Sequence, residues 1–215
     1  MTILTNYQWA KSIDDTSQNK VNGVSRTVSQ QFDKGLAEFH RSHVFNFSGL
    51  WDIPGLPKQG VPRLFFGGWS LTGIASLYSG QPFTVGSGVD NARTGIGGQR
   101  ADLIGDPNFS GNRKRQEVVT EYLRKAAFAT NPLGTYGNLG RNTFFNPGLA
   151  NVDLGLAKNF KWNERVNTFF RFEAFNAFNR VNLNGPSAAQ NSATFMRITG
   201  AQDPRILQLA LRMTF

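Results

Sequence analysis

Six stretches of the chain alternate apolar and polar side chains with a period of two, the spacing of a strand with two unlike faces. In 3–12, Ile3, Thr5, Tyr7 and Trp9 fall on one row, against Leu4, Asn6, Gln8 and Ala10. In 41–53, Phe45, Phe47, Gly49, Trp51 and Ile53 oppose Asn46, Ser48 and Asp52. In 67–78, Trp69, Leu71, Gly73, Ala75 and Leu77 oppose Ser70, Thr72 and Ser76. In 150–162, Val152, Leu154, Leu156, Phe160 and Trp162 oppose Asp153, Gly155, Asn159 and Lys161. In 166–178, Val166, Phe170, Phe172 and Ala174 oppose Asn167, Arg171 and Glu173. The alternation is cleanest in 205–215, where Leu207, Leu209, Leu211, Met213 and Phe215 oppose Gln208, Ala210, Arg212 and Thr214. A helical stripe occurs only in Gln116–Ala129, through Val119, Tyr122, Leu123 and Ala126, which predicts a short amphipathic helix on a loop.

These segments are longer than the five or six residues usual in soluble strands, and match the roughly 9–11 residues a tilted strand needs to cross a bilayer. The connections alternate long, short, long, short, long, with long ones at 13–40, 79–149 and 179–204. Outer-membrane barrels show that parity, with long outer loops and short periplasmic turns. The expected fold is therefore all-β: an antiparallel up-and-down transmembrane β-barrel segment. It has six strands, or eight if the longest loop hides a hairpin, and a six-stranded sheet cannot close by itself into a lipid-facing barrel with a usable lumen. The parity places Trp51, Trp69, Phe160, Trp162 and Phe215 at the periplasmic boundary and Tyr7 and Trp9 at the outer one, where aromatic girdles form. Outer-membrane lipid is then the partner of the apolar rows, and Arg171, Glu173 and Arg212 fall on the lumen row, where Arg171 and Glu173 either line a polar path or, as the better reading, pair with neighbouring groups. Lys158 fits badly, since it falls on a lipid row; closeness to the Phe160/Trp162 boundary would let it snorkel.

Composition changes this picture little. Charged residues are only 17% of 215, with 23 Gly and 19 Phe. No run approaches a transmembrane helix, and the mean hydropathy of −0.33 suits alternating strands. The N-terminus lacks a basic segment followed by an apolar core, so it is no secretory signal, and an exported product is expected to start upstream of Met1. A net charge of +9 is scattered, its densest cluster being Arg113–Arg115, so nucleic acid is not an expected partner. With no cysteine there is no disulfide framework or thiolate metal site.

Candidate chemistry is thin. His40 and His43 lack a third ligand and read as solvated loop residues. Gly86–Gly98 breaks the G-x-G-x-x-G pattern at Asn91 and reads as a flexible outer loop. Asp90, Asn91, Arg93, Arg100 and Asp102 either bind a polar ligand such as a saccharide or satisfy their own loop. No catalytic, cofactor or metal residue is assigned, and no enzyme activity is expected.

The segments "YQWAKSIDD", "SGLWDIPG", "SGQPFTV", "NLGRNTFFNPGLANVDLGLAKNF", "RFEAFNAFNRVN" and "PRILQLALRMTF" occur in an order that resembles the C-terminal end of TonB-dependent outer-membrane receptors. The similarity is to the Oar-like group with a carboxypeptidase-regulatory-like domain, and it spans about 3–215, departing locally at Phe144–Gly148. The resemblance implies a 22-stranded barrel in the bacterial outer membrane, of which this chain supplies the last part. It further implies missing strands and a plug upstream, TonB contacted only through that plug, and Phe215 as the assembly-machinery signal. The implied function is energised uptake of a bulky nutrient, such as a saccharide or metal chelate. The alternatives are a non-transporting adhesion or structural barrel and a soluble carbohydrate-binding β-domain.

Overall fold

The computed structural model describes residues 1–15, 33–54, 65–95, 99–162 and 165–215. Six strands form one antiparallel sheet in chain order: β1 (Thr2–Trp9), β2 (His43–Asp52), β3 (Trp69–Tyr78), β4 (Leu149–Lys161), β5 (Asn167–Phe175) and β6 (Ile206–Thr214). Each neighbours its predecessor, as expected of a meander. The sheet is not closed: β1 and β6 each present an edge with no strand partner among the described residues. The longest loop contributes no further strand to this sheet among the described residues, so the eight-strand alternative is not realised there. β5 stops at Phe175 rather than 178 because Asn176 and Asn179 take left-handed backbone angles, φ +49° and +51°, which end the ladder.

The hydrophobic core lies outside the sheet. Val85, Ala101, Leu123, Ala127, Phe128, Leu139, Phe195 and Met196 form one buried cluster, all contributed by the loops 79–148 and 176–205. Phe128 meets Phe144 and Phe195 edge-on at 5.5 and 5.8 Å. Irregular backbone buried this deeply must find hydrogen bonds. It does so in two-residue ladders, Pro82–Phe83 with Phe144–Phe145 and Asp102–Leu103 with Phe128–Ala129. The two loops are joined by Tyr122 N–H to the Met196 carbonyl (2.7 Å) and Ile198 N–H to the Val119 carbonyl (2.9 Å).

That pairing corrects the helix expected over 116–129. Only α1 (Arg115–Thr120) is α-helical, followed by a 3₁₀ turn at Lys125–Ala127. Glu121 is extended, which frees Tyr122 to pair with Met196 and Leu123 to enter the core.

Arg141 fastens the described parts of the loop 10–42 to this layer. Its guanidinium donates to the carbonyls of Asp33 and Asp14, each at 2.6 Å, and pairs with the Asp14 carboxylate. Asn142 adds a bond to the Leu36 carbonyl at 2.6 Å. Arg100 and Asp33 form a second, buried ion pair at 3.6 Å. Burial pushes the Asp33 carboxyl up and the Arg100 guanidinium down, each partly offset by the other's charge.

Two sequence expectations fail in this layer. His40 is not solvated: it is 3% exposed, accepts the Ser12 N–H at Nδ1 (3.2 Å) and bonds Ser42 Oγ through Nε2 (3.2 Å). His43 is exposed and stacks on Tyr7, 6.2 Å between centroids. The described part of 86–98 is pinned rather than flexible. Ser87 is fully buried, and the Asp90 carboxylate accepts the N–H groups of Thr94 (3.1 Å) and Gly95 (2.7 Å). The rest of that segment, 96–98, lies outside the described residues, as do the turn residues Asn163 and Glu164.

Candidate membrane surface and lumen face

Residues paired across an antiparallel ladder share a face, so the register shows whether six separate alternations make one surface. They do. Trp51 pairs with Leu71, Leu71 with Leu156, Leu156 with Phe172, and Phe172 with Leu209. One step along the strands, Leu50 pairs with Thr72, Thr72 with Gly155, Gly155 with Glu173, and Glu173 with Gln208. The first row runs along an apolar face, the second along a polar one. β1 joins in the same sense, Tyr7 opposite Phe45 and Asn6 opposite Asn46. A one-residue slip between any two strands would have mixed the faces.

Apart from the patch around Lys158, Thr168 and Ala174, the apolar face lies largely open among the described residues. Leu209 and Leu211 are 69% and 70% exposed, and Ile3, Tyr7, Trp9, Trp51, Leu71, Leu77, Leu154, Leu207 and Met213 are exposed with them. Burying one such side chain is worth roughly 1.5–3 kcal/mol. In water this face would contribute none of that.

Boundary aromatics cluster at the two ends. At the end carrying the short connections stand Trp51, Trp69, Phe160, Trp162 and Phe215. Phe160 and Trp162 stack at 6.1 Å and 17°; the Trp162 indole donates to Thr168 Oγ1 (3.0 Å) and the Trp69 indole to the Phe65 carbonyl (2.9 Å). At the long-loop end, Trp9 pairs with His43, and the Tyr7 hydroxyl meets His43 Nδ1 at 2.9 Å. The Tyr7, Trp69 and Trp162 rings thus carry an apolar body beside a satisfied polar tip, which suits a membrane–water boundary.

Lys158 keeps the apolar row opposite Trp69 and Phe170, but does not extend into solvent. It is 1% exposed, its ammonium donates to the Gly67 carbonyl, and it lies 5.2 and 5.0 Å from the rings of Trp69 and Phe160. The fold prepares this cage. Gly68 takes φ +71°, and a Cβ there would stand 2.7 Å from the Asn159 carbonyl. The glycine allows the chain entering β3 to bend against β4 and aim the Gly67 carbonyl at the amine.

On the polar face Arg171 and Glu173 pair with each other at 3.2 Å, and Arg212 stands opposite Phe169. Tyr78 donates to Asn46 Oδ1 (2.6 Å) and Thr72 to the Gly155 carbonyl (3.3 Å). The five loop residues named as possible ligand contacts are engaged within the loop layer. Asp90 caps 94–95, Asn91 donates to the Asn131 carbonyl (2.6 Å), Arg100 pairs with Asp33, and Asp102 accepts the Asn138 N–H (2.8 Å). Arg93 sits at φ +56° in the turn, its N–H on the Asp90 carbonyl (3.2 Å). Among the described residues no three His, Asp or Glu side chains gather as a metal site, and no helix is long and apolar enough to cross a membrane.

The family model described as an outer membrane beta barrel domain matches residues 1–208. The chain belongs to that family. Its place is accordingly the outer membrane of a bacterial cell. No match is found among curated proteins or solved structures. In hydrocarbon, an open sheet edge would leave backbone N–H and C=O groups unpaired, and β1 and β6 each present such an edge among the described residues. Sequence reasoning missed the buried loop layer and Arg141. Its signals were faint: short apolar runs at Ala126–Phe128 and Phe195–Met196 within polar loops.

Proposed function

We propose that this barrel domain is the C-terminal portion of a TonB-dependent outer-membrane transporter that takes up a bulky nutrient without covalent chemistry. The observation that carries the reading is a largely open apolar face backed by a predominantly polar one, in one continuous register across six strands. In a transporter the first faces lipid and the second lines a lumen. The long loops then stand outside the cell, the short connections face the periplasm, and Phe215 sits at the lower girdle for the assembly machinery. The ordered block resemblance to TonB-dependent receptors supports the finer assignment, with upstream strands closing the barrel and a plug meeting TonB. A soluble carbohydrate-binding domain is disfavoured, because a β-sandwich buries one face against a second sheet. A non-transporting surface barrel draws support from the outer loops, whose polar side chains largely satisfy one another. Site-specific photo-crosslinking of TonB in cells separates the two. Crosslinks to the intact protein that respond to a protonophore are expected for a transporter; their complete absence would favour the structural barrel.

A further inference from the structure

A cleft of about 410 Å³ opens on the polar face at the long-loop end of the sheet. Its size falls within the roughly 300–1,000 Å³ of small-ligand sites. Asn151 and Asp153 of β4 form one side, Phe175 ends β5 at its floor, and Asn182, Gln202 and Asp203 of the last long loop close it. Its walls are fixed before any ligand arrives. The Asp153 carboxylate accepts the Asn151 amide (2.9 Å) and the Asn176 N–H (2.8 Å). Asn176, left-handed and 6% exposed, donates to the carbonyls of Arg180 (2.9 Å) and Asp203 (3.2 Å). Asn182 accepts the Ala150 N–H (3.0 Å), and Gln202 donates to Asn184 Oδ1 (2.8 Å).

Those bonds leave a particular set of groups over. The Asn182 amide nitrogen, the Asn151 and Gln202 carbonyl oxygens, the second Asp153 oxygen and the Asp203 carboxylate make no hydrogen bond among the described residues. The set mixes donor with acceptor, and the lining holds no Lys, Arg or His. An anionic ligand, including a negatively charged metal chelate, would meet two carboxylates and no counter-charge. A bare cation would find acceptors in Asp153, Asp203 and Gln202 but would also face the Asn182 amide N–H groups, which turn to the cleft because the Asn182 oxygen is committed to the backbone. Hydroxyl groups donate and accept at once and match the mixture, and the exposed ring of Phe175 offers an apolar surface to the C–H face of a sugar.

We infer that this cleft is a subsite for a neutral saccharide at the mouth of the lumen. The inference rests on the transport reading for its placement and selects the saccharide over the chelate as substrate class. The test is isothermal titration of the protein purified in detergent from outer membranes. The probes are maltohexaose, cellohexaose, xylohexaose and mannohexaose, with ferric citrate and spermidine as the anionic and cationic comparisons. At least one hexasaccharide binds, and Asp203→Ala and Gln202→Ala each weaken it by about tenfold, the loss of one hydrogen bond to a buried hydroxyl. Asp106→Ala, on an exposed loop outside the cleft, leaves binding unchanged. Heat-modifiable migration of each variant verifies assembly. The inference is overturned if no hexasaccharide binds, if both cleft variants bind as tightly as the parent, or if binding is confined to ferric citrate or spermidine. TonB crosslinking without glycan binding removes the cleft assignment alone, and glycan binding without TonB crosslinking removes transport alone.

Discussion

Leu209 and Gln208 are neighbours in the middle of β6 that point to opposite faces, which makes them a matched pair for an arginine scan. Leu209 lies opposite Phe172 on the apolar face, and Arg there would place a guanidinium near the midplane of the hydrocarbon. The expected cost is about 2–4 kcal/mol, or a shift of roughly 30- to 700-fold in the folding equilibrium. Gln208 lies opposite Glu173 on the polar face. Arg at that position gains an opposite-charge cross-strand neighbour worth about 0.2–1 kcal/mol and loses little solvation. Met213 shares the apolar face with Leu209 but stands at the strand end, so Met213→Arg should cost only about 0–1 kcal/mol. The assay is reversible urea unfolding of the intact protein in phosphatidylcholine vesicles, followed by tryptophan fluorescence. A steep order, Leu209→Arg far above Met213→Arg and Gln208→Arg, is a gradient that only a bilayer imposes. Equal losses at 209 and 213 would indicate a protein layer over this face and refute the reasoning, as would equal effects at 208 and 209.

Three further outcomes are expected. Lys158→Met removes the charge-assisted bond to the Gly67 carbonyl but keeps an apolar stem among the rings, so stability should fall by about 1–2 kcal/mol in the same vesicle assay; an unchanged midpoint would mean the cage is idle. Arg141→Ala strips the bonds that hold 10–42 to the loop layer, and hydrogen exchange at Leu36 and Ala37 should accelerate by about thirtyfold while the β3–β4 ladder stays protected; uniform acceleration would contradict a local clamp. Burial holds the Asp33 carboxyl above its ordinary value of 3.8, with Arg100 and Arg141 offsetting part of the rise, so the folded loop layer keeps this proton to higher pH than the unfolded chain. Loop-layer protection should therefore decline as pH rises from about 3.8 through the raised folded value, and Asp33→Asn should flatten that slope.

The two faces of the sheet were legible from alternation because a strand has only two sides, and the ladder register preserved every assignment from Tyr7 to Met213. The strand ends at which the aromatic rings stand were legible for the same reason, since a ring's place along a strand is read from position alone. The loop layer was not legible. Its core residues, among them Val85, Leu139 and Met196, recur with no fixed period because irregular backbone imposes none. Arg141 and His40 act through single contacts made far apart in sequence, such as the reach from Arg141 to Asp14, and no local pattern announces them. The cleft was missed likewise. Asn151 and Asp153 were visible on the polar row of β4, whereas Asn182, Gln202 and Asp203 come to them only through the left-handed turns after Phe175. The acidic and amide residues that did stand out, Asp90 and Asn91, proved to be occupied by their own loop.

The most direct test of the central claim uses the absence of cysteine from the chain. Single cysteines placed in turn from Leu207 to Thr214 in the intact outer-membrane protein can each carry a nitroxide, whose collisions with oxygen and with a water-soluble nickel chelate are compared. Oxygen should dominate at 207, 209, 211 and 213, and the nickel chelate at 208, 210, 212 and 214, in an unbroken alternation. Labels at 209 and 211 shielded from both reagents would place a packed protein layer where the account puts lipid.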